Sequence, residues 1–346
     1  MADYIEFYKP TLRRKDMQSV LQTMVDEKIG PGAKKQEFIS LLCEKIKKKG
    51  GIALRSYYDA IVSSLKIAGV SEGSTVIISI LAPKLYKLAI SSLKAKAILI
   101  DINPETGCLD SQTVLNYISD KSADALILSE PFCQIPYNED FSILNIPIIE
   151  DISQSFGSTF DDYYAGGYGD LVICAFEQEH IVSCGGGAAI LYNDEKKYKD
   201  LIKKEYQIKS KYEQMPDLNA SLGIIQLKEV ESHLQKRNEI FNMFKNALMK
   251  TDHQLFGQKD INFISNGWSF PVILDSNPED VIKFAKKYNV TCMKMFTNSV
   301  GNDYKNQYTL YKNASASLLR AVAFPIYPFL KASEIDILVK VISHLP

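Results

Sequence analysis

The sequence predicts an α/β protein with a large domain, built on a doubly wound and mostly parallel sheet, and a small C-terminal α+β domain. Short apolar strands alternate with helices between residues 52 and 192, which is the pattern of βαβ units. Most of these strands are rich in Val, Ile and Leu, as in strands that are buried on both faces. The 346 residues suffice for two domains, and the pattern changes after a long helical stretch. We therefore predict domains at 1–240 and 241–346.

The large domain begins with an irregular N-terminal arm. The arm, residues 1–35, contains a helix at 12–27 that a Gly-Pro-Gly run ends, and a second amphipathic helix follows at 36–48. Strands are then predicted at 52–54, 75–80, 97–102, 125–129, 147–149, 171–176 and 188–192, with helices at 59–68, 84–93 and 111–118. A helical region at 216–250 leads into the small domain.

The small domain does not alternate in this way. The sequence predicts strands at 268–274 and 290–295, helices at 278–288 and 332–343, and a polar loop at 297–313. Such a mixture is typical of an α+β unit.

Composition argues against several classes of protein. The formal net charge is -1 and the isoelectric point is about 6.5, so nothing indicates a nucleic-acid-binding protein. No apolar run is long enough to span a membrane, and the N-terminus lacks the pattern of a signal peptide. The six cysteines are scattered without metal-binding spacing, which predicts reduced thiols in a cytoplasmic protein.

Polar or glycine-rich segments follow two of the predicted strands. Asp151 ends the strand that begins near residue 147, and His180 and three glycines at 185–187 follow the strand at 171–176. A parallel α/β sheet binds its ligand beyond the carboxyl ends of its strands. We therefore predict a ligand site where these two loops meet.

Several short motifs, taken in order along the chain, resemble a known family. They are IGPGAKKQEF, AGVSEGSTVIIS, IPIIEDISQSFGS, MPDLNASLGIIQL and LRAVAFPIYPFL. Together they resemble the DegT/StrS family of sugar aminotransferases, which have PLP-transferase fold type I and use pyridoxal phosphate (PLP) on nucleotide sugars. The resemblance implies this fold for nearly the whole chain and a link to surface-polysaccharide biosynthesis. It also implies a dimer, and we predict an interface through the helix at 59–68 and the loop around Tyr212.

The resemblance assigns roles to five residues. Asp151 matches the acid that pairs with the pyridine nitrogen of PLP and keeps the ring protonated, and Gln154 matches the glutamine beside the PLP hydroxyl. Ser56 and Tyr57 fall in the family's Ser-Gly-Thr phosphate turn, at a helix N-terminus that can attract an anion. His180 falls at the lysine that forms the Schiff base. Without the family, Asp151 is also consistent with a turn-capping residue and His180 with an ordinary loop histidine.

Other positions depart from the family pattern. No lysine lies between residues 177 and 193, and an imidazole cannot form a Schiff base with PLP. Where the family has a phosphate-binding serine, this chain has Ala175, and where the family has the aromatic residue that stacks on the PLP ring, it has Pro83. The family's Asn-x-Arg motif, which reaches the neighbouring subunit, is replaced by Tyr212 and Gln214 at its Asn and Arg positions. We therefore expect no covalent PLP, and we leave open whether PLP or pyridoxamine phosphate (PMP) binds at all.

Three functions remain open from the sequence. The first is a non-catalytic homologue that binds a nucleotide sugar or phosphate ligand, as a homodimer or as the partner of an active paralogue, and the joint loss of several phosphate-binding positions favours it. The second is an enzyme like the nucleotide-sugar 3-dehydratases, in which PMP binds noncovalently and His180 is the base. The third is a nucleotide-sugar aminotransferase that uses another lysine, which is disfavoured because no other lysine follows a matching strand.

Overall fold

The computed structural model describes residues 4–208, 213–257 and 259–346. Its largest sheet contains β1 (Gly50–Leu54), β2 (Thr75–Ser79), β3 (Lys96–Ile100), β4 (Ala125–Ser129), β5 (Ile148–Asp151), β8 (Leu171–Ala175) and β9 (Ala188–Tyr192). The order across the sheet is β1-β9-β8-β5-β4-β2-β3. Strands β3, β2, β4, β5 and β8 are parallel, while β9 runs antiparallel to β8 and to β1. The predicted fold class is confirmed.

Helices cover both faces of this sheet. The helices on one face are α3 (Tyr57–Ile67), α4 (Lys84–Ser92) and α6 (Glu195–Ile208), and those on the other are α2 (Ala33–Lys45), α5 (Ser111–Asp120) and α7 (Asp217–Leu248), with α1 (Arg14–Val25) against α7. Side chains alternate between the faces, so that Ile173 packs on the α3 side and Cys174 on the α7 side. None of the described helices combines the length and the apolar composition that crossing a membrane requires.

A second, antiparallel sheet has its own core. Its strands are β10 (Gln254–Leu255), β12 (Ser269–Ile273), β14 (Ala321–Pro325) and β13 (Met293–Lys294), in that order. Helices α8 (Pro278–Lys287) and α10 (Ala332–Ile342) pack against Phe270 and Phe324 of this core, to which α7 contributes Ile240 and Phe244. A small ribbon of β6 (Thr159–Phe160), β7 (Tyr163–Tyr164) and β11 (Phe263–Ile264) lies apart from both sheets. The predicted domain boundary at residue 240 falls inside α7 and stays a prediction.

The structure differs from the predicted elements most in the segment before β14. The sequence predicts a polar loop at 297–313, but a 3₁₀ helical segment covers Val300–Leu310, with a kink at Tyr304 (φ -120°), and α9 (Lys312–Arg320) leads directly into β14. The Ser299 hydroxyl starts the 3₁₀ helix, because it accepts a hydrogen bond from the Gly301 amide at 3.0 Å and donates one to the Ile80 carbonyl at 2.8 Å. Hydrophobic periodicity could not reveal this helix, because a 3₁₀ helix lacks the 3.6-residue period.

The helix predicted to lie in a dimer interface packs mostly within the chain. Seven of the eleven residues of α3 are buried against the large sheet and its neighbouring helices. Helix α3 therefore leaves little apolar surface of its own for a partner subunit to cover. The dimer itself stays a prediction, and Tyr212 lies outside the described residues.

Candidate active site

A cavity of about 490 Å³ lies between the two sheets, beyond the carboxyl ends of β4 and β5. Four of the five predicted site residues line it: Tyr57, Asp151, Gln154 and His180. Ser56 caps α3 next to Tyr57. The structure thus brings the loops that follow β5 and β8 together at one cavity, where a sheet of this kind binds ligands.

The Asp151 carboxylate is buried and accepts four hydrogen bonds. Its Oδ1 accepts from the backbone amide of Ser153 at 2.9 Å and from the Ser153 hydroxyl at 2.5 Å. Its Oδ2 accepts from the Tyr86 hydroxyl at 2.6 Å and from the Tyr57 hydroxyl. Groups of the protein itself therefore supply hydrogen-bond donors to both oxygens of Asp151, without a ligand.

Both tyrosines are donors that stay protonated. Burial, followed by the negative charge of Asp151, raises the pKa of Tyr57 and of Tyr86 well above the ordinary value. Tyr57 is the first residue of α3 and Tyr86 lies in the first turn of α4. Sequence reasoning missed Tyr86. Alignment with the family pattern places the ring-stacking aromatic residue at Pro83, the N-cap of α4, which lies about one turn before Tyr86. The only sequence signal was an aromatic residue within one turn of the expected position.

The N-terminus of α3 already has an acceptor and a negative charge. The Ser56 hydroxyl accepts from the Asp59 amide at 3.0 Å and donates to the Asp59 carboxylate at 2.8 Å. This is an ordinary N-cap, and the carboxylate in the first turn interacts favourably with the helix dipole. A phosphate at this helix end would find the Asp59 amide already bonded and would have to approach an acidic side chain.

Gln154 is held by a strained turn. Its side-chain oxygen accepts from the Phe132 amide at 2.9 Å. Phe132 and the next residue, Cys133, have φ angles of 49° and 73°, in a region that bulky side chains rarely adopt. Strain of this kind concentrates at functional sites. The turn directs the Phe132 ring to the wall of the cavity, where it contacts Trp268 and Phe296.

His180 is neutral, and one of its ring nitrogens is already in use. The side chain is only 9% exposed, and its Nδ1 accepts from the Glu177 amide at 3.0 Å. Because Nδ1 accepts, we assign the ring hydrogen to Nε2. Burial lowers the pKa of the imidazole to about 4, so the ring is uncharged near pH 7. In this tautomer, Nε2 offers a hydrogen-bond donor and no lone pair to take up a proton.

The segment that carries His180 is fixed from two sides. The Trp268 indole donates to the Glu179 carbonyl at 2.7 Å. From α7, the Gln226 side chain bonds both the amide and the carbonyl of Ser183, at 2.9 and 2.7 Å. The glycines at 185–187 all have positive φ, and a Cβ on Gly187 would lie 2.9 Å from a backbone oxygen. The glycine turn therefore has a structural reason that does not depend on any cofactor.

Aromatic side chains form one wall of the cavity. Tyr8 and Trp268 have ring centroids 5.6 Å apart, Trp268 and Phe132 are at 5.3 Å, and Phe132 and Phe296 at 5.0 Å. Sequence reasoning missed this wall, because its four members come from separate segments with no shared spacing. Its rings offer a broad apolar surface to a ligand.

The charged groups that face the cavity do not favour an anion. Lys84 and Lys294 line it, but each is paired, with Asp303 at 2.6 Å and with Glu279 at 3.6 Å. Glu177 also lines it, and burial, followed by the nearby Glu179, raises the pKa of the Glu177 carboxyl. Within the described residues, no group of three or more His, Cys, Asp or Glu side chains is arranged to hold a metal ion.

The sequence profile of the DegT/DnrJ/EryC1/StrS aminotransferase family matches residues 10–343. The chain belongs to this family. The resemblance that the short motifs predict is thereby confirmed, and the family supplies the reference for the cavity. Solved structures that resemble this chain are named as PLP or PMP forms, so the fit of that cofactor to the residues of this cavity can be tested directly.

Named relatives and solved structures agree with this assignment. GDP-perosamine synthase of Escherichia coli O157:H7 is 23% identical over 260 residues, which is 70% of this chain and 71% of the relative. A UDP-4-amino-4,6-dideoxy-N-acetyl-beta-L-altrosamine transaminase of Campylobacter jejuni is 25% identical over 268 residues, which is 72% of this chain and 71% of the relative. The structure of DesV from S. venezuelae superposes with a TM-score of 0.88 at 15% identity, over 99% of this chain and 98% of that one. The structure of a GDP-4-keto-6-deoxymannose-3-dehydratase superposes with a TM-score of 0.84 at 14% identity, over 98% of this chain and 100% of that one.

The residues of the cavity do not fit PLP in the position that the family resemblance implies. The Asp151 oxygen that would pair with the ring nitrogen accepts from two tyrosine hydroxyls. The Tyr57 side chain extends from the N-terminus of α3, where the phosphate would bind, to this carboxylate. The acidic Asp59 lies at the same helix end. Of the residues at the Asn-x-Arg motif, Tyr212 lies outside the described residues, and the Gln214 side chain accepts from Lys35 at 2.7 Å.

Proposed function

We propose that this chain is a non-catalytic member of the family, which binds a ligand in the cavity and does not carry out the family's reaction. The observation that carries the proposal is the state of His180. Its imidazole is buried and neutral, and its Nδ1 is bonded to the Glu177 amide. It therefore offers neither the amine that a Schiff base needs nor a lone pair for general-base chemistry.

The two lysines at the cavity do not replace the missing amine. Lys84 is bonded to Asp303, and Lys294 lies against Glu279. Their side chains keep 47% and 35% of their surface exposed, and a charged, paired lysine is a poor nucleophile. This supports a binding role over an aminotransferase that uses a displaced lysine.

We propose that the ligand is the sugar portion of a nucleotide sugar. Two relatives are named for GDP- and UDP-linked sugars, which supports this class of compound. The aromatic wall suits the apolar face of a sugar ring, and the paired lysines leave the cavity poorly suited to a diphosphate. The diphosphate would then remain at the cavity mouth, and the sugar hydroxyls would meet Gln154 and the Nε2–H group of His180.

Spectroscopy of the purified chain tests the absence of catalysis. We expect no PLP absorbance as purified, no adduct in the 177–193 segment after borohydride, and weak PLP and PMP binding in titrations. Each charge-assisted hydrogen bond that the phosphate loses is worth about 1.5–3 kcal/mol. Losing two weakens binding by about two to four powers of ten.

The opposite result would favour the dehydratase alternative. Tight PMP binding that Asp151→Ala abolishes, together with turnover that His180→Ala abolishes, would contradict a non-catalytic role. A calorimetric series of UDP- and GDP-sugars against free UDP and GDP tests the ligand. We expect the sugar conjugates to bind more tightly than the free nucleotides, and equal affinities would contradict a sugar-binding cavity.

We propose that the chain acts in the cytoplasm as one subunit of a dimer, with itself or with an active paralogue. Helix α1 supports an association, because Met17, Leu21, Met24 and Val25 form a stripe whose members are each more than half exposed. Light scattering should give a dimer mass at micromolar concentration. Leu21→Glu should shift it towards the monomer, whereas Ile261→Glu, at an exposed residue elsewhere, should not. A wild-type monomer would contradict the homodimer.

A further inference from the structure

Three features that the family resemblance connects with PLP surround one side chain of this chain. Tyr57 is the first residue of α3, so its backbone lies at the helix end assigned to the phosphate. Its hydroxyl donates to the Asp151 carboxylate, which is assigned to the ring nitrogen. Its ring centroid lies 6.5 Å from that of His180, which is assigned to the lysine.

We propose that Tyr57 is a built-in ligand of the cofactor-ring position. Its phenol ring takes the place of the PLP ring, and its O–H group donates to Asp151 as a protonated pyridine nitrogen would. This inference rests on the proposed non-catalytic function and specifies the residue that excludes the cofactor. It assigns the blocking of the ring position to a single side chain, which acts in addition to the lost phosphate contacts.

The hydrogen bonds around Asp151 explain why this arrangement is stable. Burial and the nearby carboxylate keep the phenol of Tyr57 protonated, so it remains a donor. Tyr86 donates to the same Oδ2 at 2.6 Å, and Ser153 donates to Oδ1. A cofactor would have to break the Tyr57 bond and remove a partly buried ring from its packing.

A side chain also has an advantage over a dissolved ligand. Tyr57 is tethered to α3, so it pays no translational entropy to reach Asp151, whereas a free cofactor does. The helix cap adds to this, because the Asp59 carboxylate at the same helix end opposes a phosphate. Removing the Tyr57 side chain should therefore uncover an acid that retains its other donors and is placed to receive a ring N–H group.

The first experiment is a PLP and PMP titration of Tyr57→Gly, followed by absorbance and by calorimetry. We expect binding about 10- to 100-fold tighter than in the wild type, because one charge-assisted hydrogen bond becomes available. Tyr57→Ala opens the same space with a better helix former and replaces the glycine variant if that variant folds poorly. Tyr57→Phe keeps the ring and should gain no affinity, which separates occupation by the ring from competition by the hydroxyl.

Tyr58→Gly is the matched control. Tyr58 is the next residue of α3 and packs against the core of the same sheet face, so its loss perturbs the same helix without opening the space at Asp151. We expect wild-type PLP affinity from this variant. Equal gains in Tyr57→Gly and Tyr58→Gly would overturn the proposal, because loosening of α3 would then explain the binding.

A second experiment adds an amine at position 180. In His180→Lys, the introduced amine can condense with the PLP aldehyde with loss of water, and borohydride then reduces the C=N bond to a stable amine that mass spectrometry detects. We expect little adduct in His180→Lys alone and abundant adduct at residue 180 in the double variant with Tyr57→Gly. Equal adduct in both variants would overturn the proposal.

Failure of this inference is distinguishable from failure of the proposed function. Tight PLP or PMP binding by the wild-type chain would contradict both. Weak binding by the wild type and by Tyr57→Gly and Tyr57→Ala alike would leave the non-catalytic function intact. It would show that Tyr57 is not what excludes the cofactor.

Discussion

Two neighbouring carboxylates at the end of β5 are both buried, yet most of their hydrogen-bond partners differ in kind. Glu150 is 0% exposed and Asp151 is 3% exposed. Glu150 accepts from three backbone amides of the turn at 166–169, at distances of 2.8, 2.9 and 2.6 Å, and also bonds the Glu130 side chain. Asp151 accepts from three hydroxyl groups, which belong to Ser153 and two tyrosines, and from a single backbone amide. Strand alternation places the two side chains on opposite faces of the sheet.

The difference shows which of the two acids is free to serve a ligand. A backbone amide can only donate, and its position is set by the fold, so Glu150 ties its turn to the sheet. A hydroxyl can donate or accept, and it rotates with its side chain. The partners of Asp151 can therefore be exchanged for a ligand without moving the backbone. The carboxylate whose hydrogen-bond partners can rearrange therefore lies on the cavity side of β5.

A matched pair of amide substitutions gives the largest expected effect on this comparison. Glu150→Gln should lower the free energy of unfolding by about 3 kcal/mol, because the new NH₂ group faces buried amides that can only donate. Asp151→Asn should lower it by about 1 kcal/mol or less, because the tyrosine hydroxyls can turn to accept from the new NH₂ group. Urea unfolding of both variants at one pH measures the difference.

The pair also carries its own control. Both substitutions remove one negative charge from a buried strand-end carboxylate and keep the side-chain shape. Unfolding free energies that fall by the same amount would show that charge, and not the kind of donor, decides the stability of the two sites. A larger loss in Asp151→Asn would contradict the comparison outright.

The fold was predictable from the sequence because burial leaves a regular pattern of apolar residues, periodic in helices and continuous in strands that are covered on both faces. Strands β2, β4 and β8 are buried on both faces, so they are continuous apolar runs in the sequence. Asp151 was predictable for a related reason, since it ends β5 at the edge where parallel sheets bind ligands. Where no periodic burial exists, as in the 3₁₀ helix at Val300–Leu310, the same reasoning finds only a polar loop.

The site was only partly predictable, because its decisive contacts join residues that are far apart in the chain. Tyr57 and Asp151 are 94 positions apart, and Tyr86 and Asp151 are 65 apart. When each position is compared with the family pattern, Tyr57 is seen only as the replacement of a glycine in the phosphate turn. Only the fold shows that the new side chain reaches the acid and completes its hydrogen bonds. The aromatic wall around Trp268 was not predicted for the same reason.

A smaller effect, on the pH dependence of stability, sharpens the Glu150 side of the comparison. Glu130 is buried, its Oε2 accepts from the Ser155 hydroxyl, and burial followed by the nearby Glu150 carboxylate raises its pKa well above the ordinary 4.5. In the folded chain Glu130 keeps its proton, while in the unfolded chain it ionises above pH 4.5. Folding then takes up a proton, so this group lowers stability as the pH rises from 4.5 towards the folded-state pKa.

Glu130→Gln should remove this contribution, because an amide keeps the shape of the protonated acid and cannot ionise. Between pH 5 and 6, the unfolding free energy of the wild type should fall relative to that of the variant by up to about 1.4 kcal/mol. Urea unfolding at a series of pH values measures the two curves. Asp151→Asn serves as the control, and we expect it to leave most of this slope in place, because burial and Glu150 raise the pKa of Glu130 more than Asp151 does. Parallel curves for wild type and Glu130→Gln would mean that Glu130 ionises inside the folded chain, and that a negative charge at Glu150 does not prevent a second one beside it.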